Sequence, residues 1–282
     1  MDKIREALFI SSNNFKKWAV NPRIYIVLLL LIGYITMILN CVNDFCSKSG
    51  YKITPWVFPF FIAQPYSLLM ILLGLILLFC DAPFMESEQP YIIMRSGREI
   101  WTAGQILYIV LSSAIFFAIV ELLTILLLLP NLSYENDWGK VINSFAQNGA
   151  SRYGVVFPFD YTIVSNFNPL QAMVIESLLC WLMGMFVGLL MFVLNLAVSR
   201  SAGVIAAAAF AVFPLFIKRN NFQLHYFSPA SWTSLSVIDF TGATSFPSPL
   251  YVILGYALLI VFLITMTMLL MRRRDIDVLK TI

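Results

Sequence analysis

Two carboxylates stand inside long apolar runs of this 282-residue chain, Glu121 within 103–130 and Glu176 within 170–199. A carboxylate in hydrocarbon costs roughly 3 kcal/mol or more unless it is solvated, paired or protonated, which makes such residues candidates for a solute pathway. Glu121 lies 9 residues from Pro130 and Glu176 lies 6 from Leu170, so at the helical rise they sit ~13 Å and ~9 Å deep. Both fall in the same half of the bilayer, on consecutive antiparallel helices. No Lys or Arg occurs in any apolar run to pair with them. Two readings stay open. Either the pair lines an aqueous cavity, or it is neutral and hydrogen-bonded to helices such as the one carrying Tyr108, Ser112 and Ser113. Asn195 is a weaker pathway candidate, since interhelical hydrogen bonding is the default for an intramembrane amide.

Other chemistry is sparse. His225 is the only histidine, and no G-x-S-x-G or H-E-x-x-H pattern occurs. Gly139-Lys140 lacks both the upstream glycine of a phosphate loop and the following hydroxyl that would bind magnesium. The chain is therefore expected to be no enzyme, to hold no metal or cofactor of its own, and not to hydrolyse a nucleotide alone. Cys80 and Cys180 fall in apolar runs and read as packing residues. Cys41 and Cys46 lie together at the outer end of the first run, where oxidation stays open.

The elements that must position these residues follow from composition. Hydrophobic residues make up 60% of the chain and charged residues 12%, against about 25% charged in a soluble domain. Six apolar runs, 24–42, 57–80, 103–130, 170–199, 201–217 and 250–271, take up about half the chain. A bilayer core of ~30 Å needs about 20 apolar residues per helix, and unpaired sheet edges are excluded there. The expectation is an all-α, polytopic protein of six transmembrane helices in one domain. It comprises an interfacial segment (1–23), a six-span bundle (24–271) and a cytoplasmic tail (272–282).

Basic residues orient the bundle. With the first residue inside, 12 of the 18 Lys and Arg fall on the cytoplasmic side and 6 outside, as the positive-inside rule requires. Both termini are then cytoplasmic, in a cell membrane. The net charge of +3 reflects this orientation and implies no nucleic-acid partner. Residues 1–23 are too polar for a cleavable signal, so the first span is expected to serve as its own insertion signal.

Residues 1–20 read as an amphipathic helix with Ile4, Leu8, Phe15 and Trp18 on one stripe. Asn21-Pro22 breaks it and makes an elbow into the first span. The cytoplasmic loop 81–101 carries Asp81, Glu86, Glu88, Arg95, Arg98 and Glu99 between prolines and aromatic residues. Outside, 131–169 and 218–249 are the larger connections, and the second is rich in Ser, Thr and Pro yet nearly uncharged. A local pattern recurs in Val57-Phe58-Pro59-Phe60, Val156-Phe157-Pro158-Phe159 and Val212-Phe213-Pro214-Leu215. Interfacial aromatics beside prolines account for it more simply than a repeat does.

Two stretches carry a resemblance. Arg95-Ser96-Gly97-Arg98-Glu99-Ile100-Trp101, with Gly104-Gln105 entering the third run, and Phe227-Ser228-Pro229-Ala230-Ser231-Trp232 before the last run resemble the membrane subunit of type 2 ABC exporters. The elbow and six spans extend that likeness over the whole chain, although 131–169 is longer than the family pattern. The resemblance implies a permease that carries no ATPase and joins a second permease subunit, identical or not, and separate ATP-binding subunits that hold ATP and Mg. It also implies a coupling helix over Tyr91 to Trp101, docking through Tyr91, Arg95, Arg98 and Glu99, and short outer re-entrant helices in 226–249. The alternative is an ion-coupled secondary transporter, which would favour more intramembrane polar residues and helices broken near the midplane. A membrane enzyme would need clustered His, Asp or Cys, and a channel a recognisable filter.

Overall fold

A computed structural model describes residues 2–82, 84, 89–217, 222–242 and 244–273. The expectations attached to Glu86, Glu88, Lys218, Arg219, Arg274 and Lys280 lie outside the described residues. Every regular element among them is helical, apart from one isolated bridge between Ile53 and Leu132. The all-helical expectation is met.

The helices are α1 (Asp2–Lys16), α2 (Pro22–Ser49), α3 (Phe58–Ala63), α4 (Pro65–Phe79), α5 (Gln89–Ser96) and α6 (Arg98–Leu126). They continue with α7 (Gly139–Asn148), α8 (Tyr161–Asn166), α9 (Pro169–Ala197), α10 (Arg200–Phe216), α11 (Phe222–Tyr226) and α12 (Pro249–Arg273). Their ends follow local chemistry. Asn21 caps α2 by accepting from the Arg23 amide, Pro22 opens it, and Gly50 closes it in the left-handed region at φ 72°. Asn168 and Gln171 form a reciprocal capping box on α9.

Four helices, α2, α6, α9 and α12, are long and apolar enough to cross a membrane, and the protein is built to be membrane-embedded. The second expected span is not one helix. Gln64 turns extended at φ −84°, ψ 120°, because Pro65 disfavours the helical region for the residue before it. What remains after the break is the 15-residue α4, ~22 Å long against a core of ~30 Å. The fifth run forms the 17-residue α10.

Helix α9 is the axis of the bundle. It packs against α4, α6, α10 and α12, and 67% of its most apolar window is buried, against 22% for α12. Gly184 and Gly188, four residues apart on one face, let α6 come close. A Cβ at Gly188 would stand 2.5 Å from Ile109 Cγ2, and one at Gly184 would stand 2.7 Å from Ser113 Cβ. Such small-residue spacing is how helices gain contact where no hydrophobic effect drives them together.

Helix α1 packs along the first turns of α6, and of the expected stripe only Phe15 and Trp18 join the contact. Ile4 and Leu8 are 71% and 50% exposed, whereas Ile10, Ser11 and Asn14 are buried. Gly104 explains the choice of face, since a Cβ there would stand 2.8 Å from Ile10 Cβ. Polar contacts then set the register. Asn14 Nδ2 donates to Gln105 Oε1 at 2.6 Å, and Trp18 Nε1 donates to the Tyr108 hydroxyl at 2.9 Å. Helical periodicity alone does not tell a face seeking lipid from a face seeking protein.

At the end of the bundle opposite α1, the connection 131–169 folds into a cap. Ile53 exchanges backbone hydrogen bonds with Asn131 and Ser133, Thr54 Oγ1 donates to the Trp138 carbonyl, and Trp56 Nε1 donates to that of Glu135. Phe45, Phe60, Phe145 and Phe159 form a contiguous aromatic cluster beneath it.

Candidate functional site

Glu121 on α6 and Glu176 on α9 stand near one another, Ser177 beside Glu176 being the partner of Glu121, but they engage different partners. Ser177 Oγ on α9 donates to Glu121 Oε2 on α6 at 2.6 Å. Glu176 is fully buried, and its Oε2 accepts the backbone amide of Leu235 at 3.3 Å. Its second oxygen has no hydrogen-bond partner among the described residues. The expected partners do not serve. Ser112 and Ser113 donate to the Tyr108 and Ile109 carbonyls of their own helix, and Tyr108 accepts from Trp18. The partners that do serve are adjacent in sequence to Glu176 (Ser177) or lie in a remote loop (Leu235).

Leu235 belongs to the stretch 228–237, two short 3-10 turns laid across the end of the bundle. Ser228 caps the first by accepting from the Ser231 amide. The Tyr256 hydroxyl donates to the Pro229 carbonyl at 2.7 Å, and Trp232 Nε1 donates to that of His225 at 2.7 Å. The turns are thus fastened to α9 through Glu176 and to α12 through Tyr256. Within 226–249, where the resemblance implies short re-entrant helices, the regular elements among the described residues are these two 3-10 turns and the end of α11.

Beside the turns lies a cavity of about 320 Å³. Ser231, Ser234, Ser236, His225 and Asp160 give it a polar side, and Ile62, Pro65 and Leu68 at the α3–α4 break give it an apolar one. His225 is 6% exposed and neither ring nitrogen has a partner among the described residues. Burial lowers its pKa from the ordinary imidazole value, so the ring is held neutral, with one donor and one acceptor. Hydroxyls, a neutral imidazole and a carboxylate in an apolar wall suit the holding of a polar solute. As the lone histidine, His225 drew notice in the sequence only for what it cannot do. Its place in a pocket depends on contacts distant in sequence.

Asn195 belongs elsewhere. It is 19 residues beyond Glu176, ~28 Å along α9, where its Nδ2 donates to the Ala82 carbonyl at 2.6 Å and its Oδ1 crowds Gly203 of α10. The three pathway candidates therefore make one pair and one separate helix-end tie.

The segment from Tyr91 to Trp101 is likewise divided. Helix α5 ends at Ser96, Gly97 takes φ 84°, and Arg98 begins α6. Tyr91 (70%), Met94 (71%) and Arg95 are exposed on α5. Trp101 is wholly buried and donates from Nε1 to Gln89 Oε1 at 2.6 Å, which ties the start of α5 to α6. Arg98 donates to the Arg272 carbonyl at 3.3 Å, and Glu99 pairs with Arg272 at 2.7 Å. Of the four proposed docking residues, Tyr91 and Arg95 face outward, while Arg98 and Glu99 join α6 to α12. Cys41 and Cys46 are both free thiols within α2.

No protein-family model matches the chain, and neither a curated protein nor a solved structure is significantly similar to it.

Proposed function

We propose that this chain is the permease subunit of an ATP-driven exporter of the type 2 ABC kind, paired with a second permease subunit and with separate ATPase subunits that hold ATP and Mg. In this reading α2, α3–α4, α6, α9, α10 and α12 are six crossings of the cell membrane. Helix α1 is the cytoplasmic elbow helix, and both termini are inside. The observation that carries the reading is α5. It is a two-turn helix with Tyr91, Met94 and Arg95 exposed, fastened to α6 by Trp101–Gln89 and onward to α12 by Glu99–Arg272. A load on α5 would reach two crossings at once, and α12 holds the turns 228–237 over the far end through Tyr256. The polar cavity beside those turns is the solute-facing end of the pathway.

A second reading, an ion-coupled secondary transporter, is favoured by the break at Gln64–Pro65 beside a polar cavity. Such breaks lie near the bilayer midplane in that class. Here only the 6-residue α3 lies beyond it, so the break is terminal and the exporter reading is preferred.

The test is copurification of an ATPase subunit and its ATP turnover. Arg95→Glu should weaken the association about fivefold or more, on the order of 1 kcal/mol, through loss of a charge contact at the interface. Full recovery of ATPase and turnover in Arg95→Glu combined with Tyr91→Ala would remove α5 as the coupling element. Absence of any ATPase partner would favour the secondary transporter.

A further inference from the structure

We propose that the cavity between the end of α1, the start of α2, the end of α4 and α6 binds the phosphate headgroup of an anionic phospholipid. The site depends only on the membrane placement of the bundle and not on the exporter reading.

The cavity measures about 320 Å³. Its polar side holds Lys17, Arg23, Asn14 and Tyr108, and its apolar side continues through Ile24 and Leu77. Arg23 Nη1 is engaged by Asp81 and by Cys80 Sγ. The rest of the guanidinium has no acceptor among the described residues, and its five donors in a fixed fork suit a second, tetrahedral oxyanion. Asn14 is 4% exposed with Oδ1 unpartnered, as is Gln105 Nε2. Turning both amides over keeps one hydrogen bond between them and leaves Asn14 Nδ2 as the free donor, which an anion can use. Tyr108 accepts from Trp18, so its own hydroxyl proton is available as well.

Three independent features thus favour an anion. Two cations line the cavity, the buried Tyr108 hydroxyl has a proton to give, with the turned Asn14 amide as a second donor, and the 28-residue α2 starts here with the positive end of its dipole. Among the described residues Asp81 is the one carboxylate lining it, and it stands against Arg23. A lipid rather than a free anion is favoured by the apolar wall of the cavity. Leu77 lines it together with Ile24, Val27 and Leu78 and is 43% exposed, an apolar surface along which an acyl chain can run. Trp18 and Tyr108 supply the aromatic level typical of a membrane–water boundary. Basic pockets between helices at such a boundary are where anionic headgroups bind.

The experiment measures the thermal midpoint and lipid retention of the full chain in detergent. Phosphatidylglycerol, phosphatidylcholine or inorganic phosphate is added to wild type, Lys17→Gln, Arg23→Gln and Tyr108→Phe. Phosphatidylglycerol should raise the midpoint and remain bound, and phosphatidylcholine should do neither. Each cation removed should weaken retention about fivefold. Tyr108→Phe, which deletes a hydroxyl and keeps the Arg23–Asp81 pair, covers the case in which Arg23→Gln misfolds, and should weaken retention; its lipid-free midpoint, lowered by loss of the Trp18 hydrogen bond, is the baseline for its own lipid shift. Equal retention of phosphatidylglycerol by wild type, Lys17→Gln and Tyr108→Phe would overturn the site. An equal midpoint shift with inorganic phosphate alone would overturn the lipid assignment in favour of a free-anion site.

Discussion

The rings of Phe60 and Phe159 lie 4.8 Å apart, centroid to centroid, which brings two copies of one Val-Phe-Pro-Phe pattern into contact from positions 57–60 and 156–159. Phe61 meets Phe157 at 6.5 Å in the same interface, and Pro158 and Pro214, from the second and third copies, both line the His225 cavity. The pattern marks three segments that converge around one pocket. Pro59 opens α3, Pro158 lies in the irregular stretch before α8 and Pro214 falls in the last turn of α10.

Phe159→Ala should destabilise the protein by about 3 kcal/mol or more, the usual cost of truncating a buried phenylalanine. A double-mutant cycle with Phe60→Ala should give a coupling of about 0.5–1.5 kcal/mol. Thermal unfolding in detergent measures both. Strict additivity would mean that the cap and α3 are held by other contacts.

Glu176→Gln keeps an acceptor for the Leu235 amide, so assembly should survive while solute transport changes. Glu176→Leu strands that buried amide, at roughly 1–3 kcal/mol, and should speed hydrogen exchange across 228–237 selectively. Unchanged transport in both Glu176→Gln and Glu121→Gln would leave the pair with a packing role.

Gly188→Leu should separate α6 from α9, since even a Cβ at 188 meets Ile109 and Phe79. The expected loss is about 1–3 kcal/mol or more from overpacking, read as a lower thermal midpoint. Gly33→Leu is the control, because nothing lies within 4 Å of a Cβ there.

Asp239 organises the loop before α12. Desolvation would raise its carboxyl, but donors from Thr244, Thr241 and Gly242 outweigh that and bring the pKa down from 3.8 to about 2. A depressed folded value contributes stability above the unfolded pKa and loses it as pH falls through the folded one. Amide protection at Thr241, Gly242 and Thr244 should therefore hold above pH 4 and vanish as pH falls towards 2. Asp239→Asn should lack this transition, and an identical profile in the variant would assign the protection to other contacts.

The orientation is open to labelling. On a cysteine-free background, an impermeant thiol reagent should reach exposed positions 140 and 245 from outside, and position 91 only after permeabilisation. Labelling of 91 in intact cells would invert the topology and remove α5 from the cytoplasm.

The sequence by itself determined that the chain is helical and membrane-embedded. Runs of apolar residues longer than any soluble helix needs admit no other backbone solution in hydrocarbon. The same counting placed Glu121 and Glu176 in one half of the bilayer, because helical rise is constant. It also marked Asn21-Pro22 as a helix break, because proline acts on its neighbours alone. Tertiary structure decided what counting could not. Proline also forbids the helical region at Gln64, yet the surrounding apolar run hid that break within one expected span. The face that α1 presents to α6 depends on Gly104, some ninety positions away. Likewise Leu235 faces Glu176 because Tyr256, Trp232 and the Ser228 cap hold the turns there. Local periodicity carries the free energy of a single element, whereas the choice between lipid and protein for each face is made only when the neighbouring surface is in place.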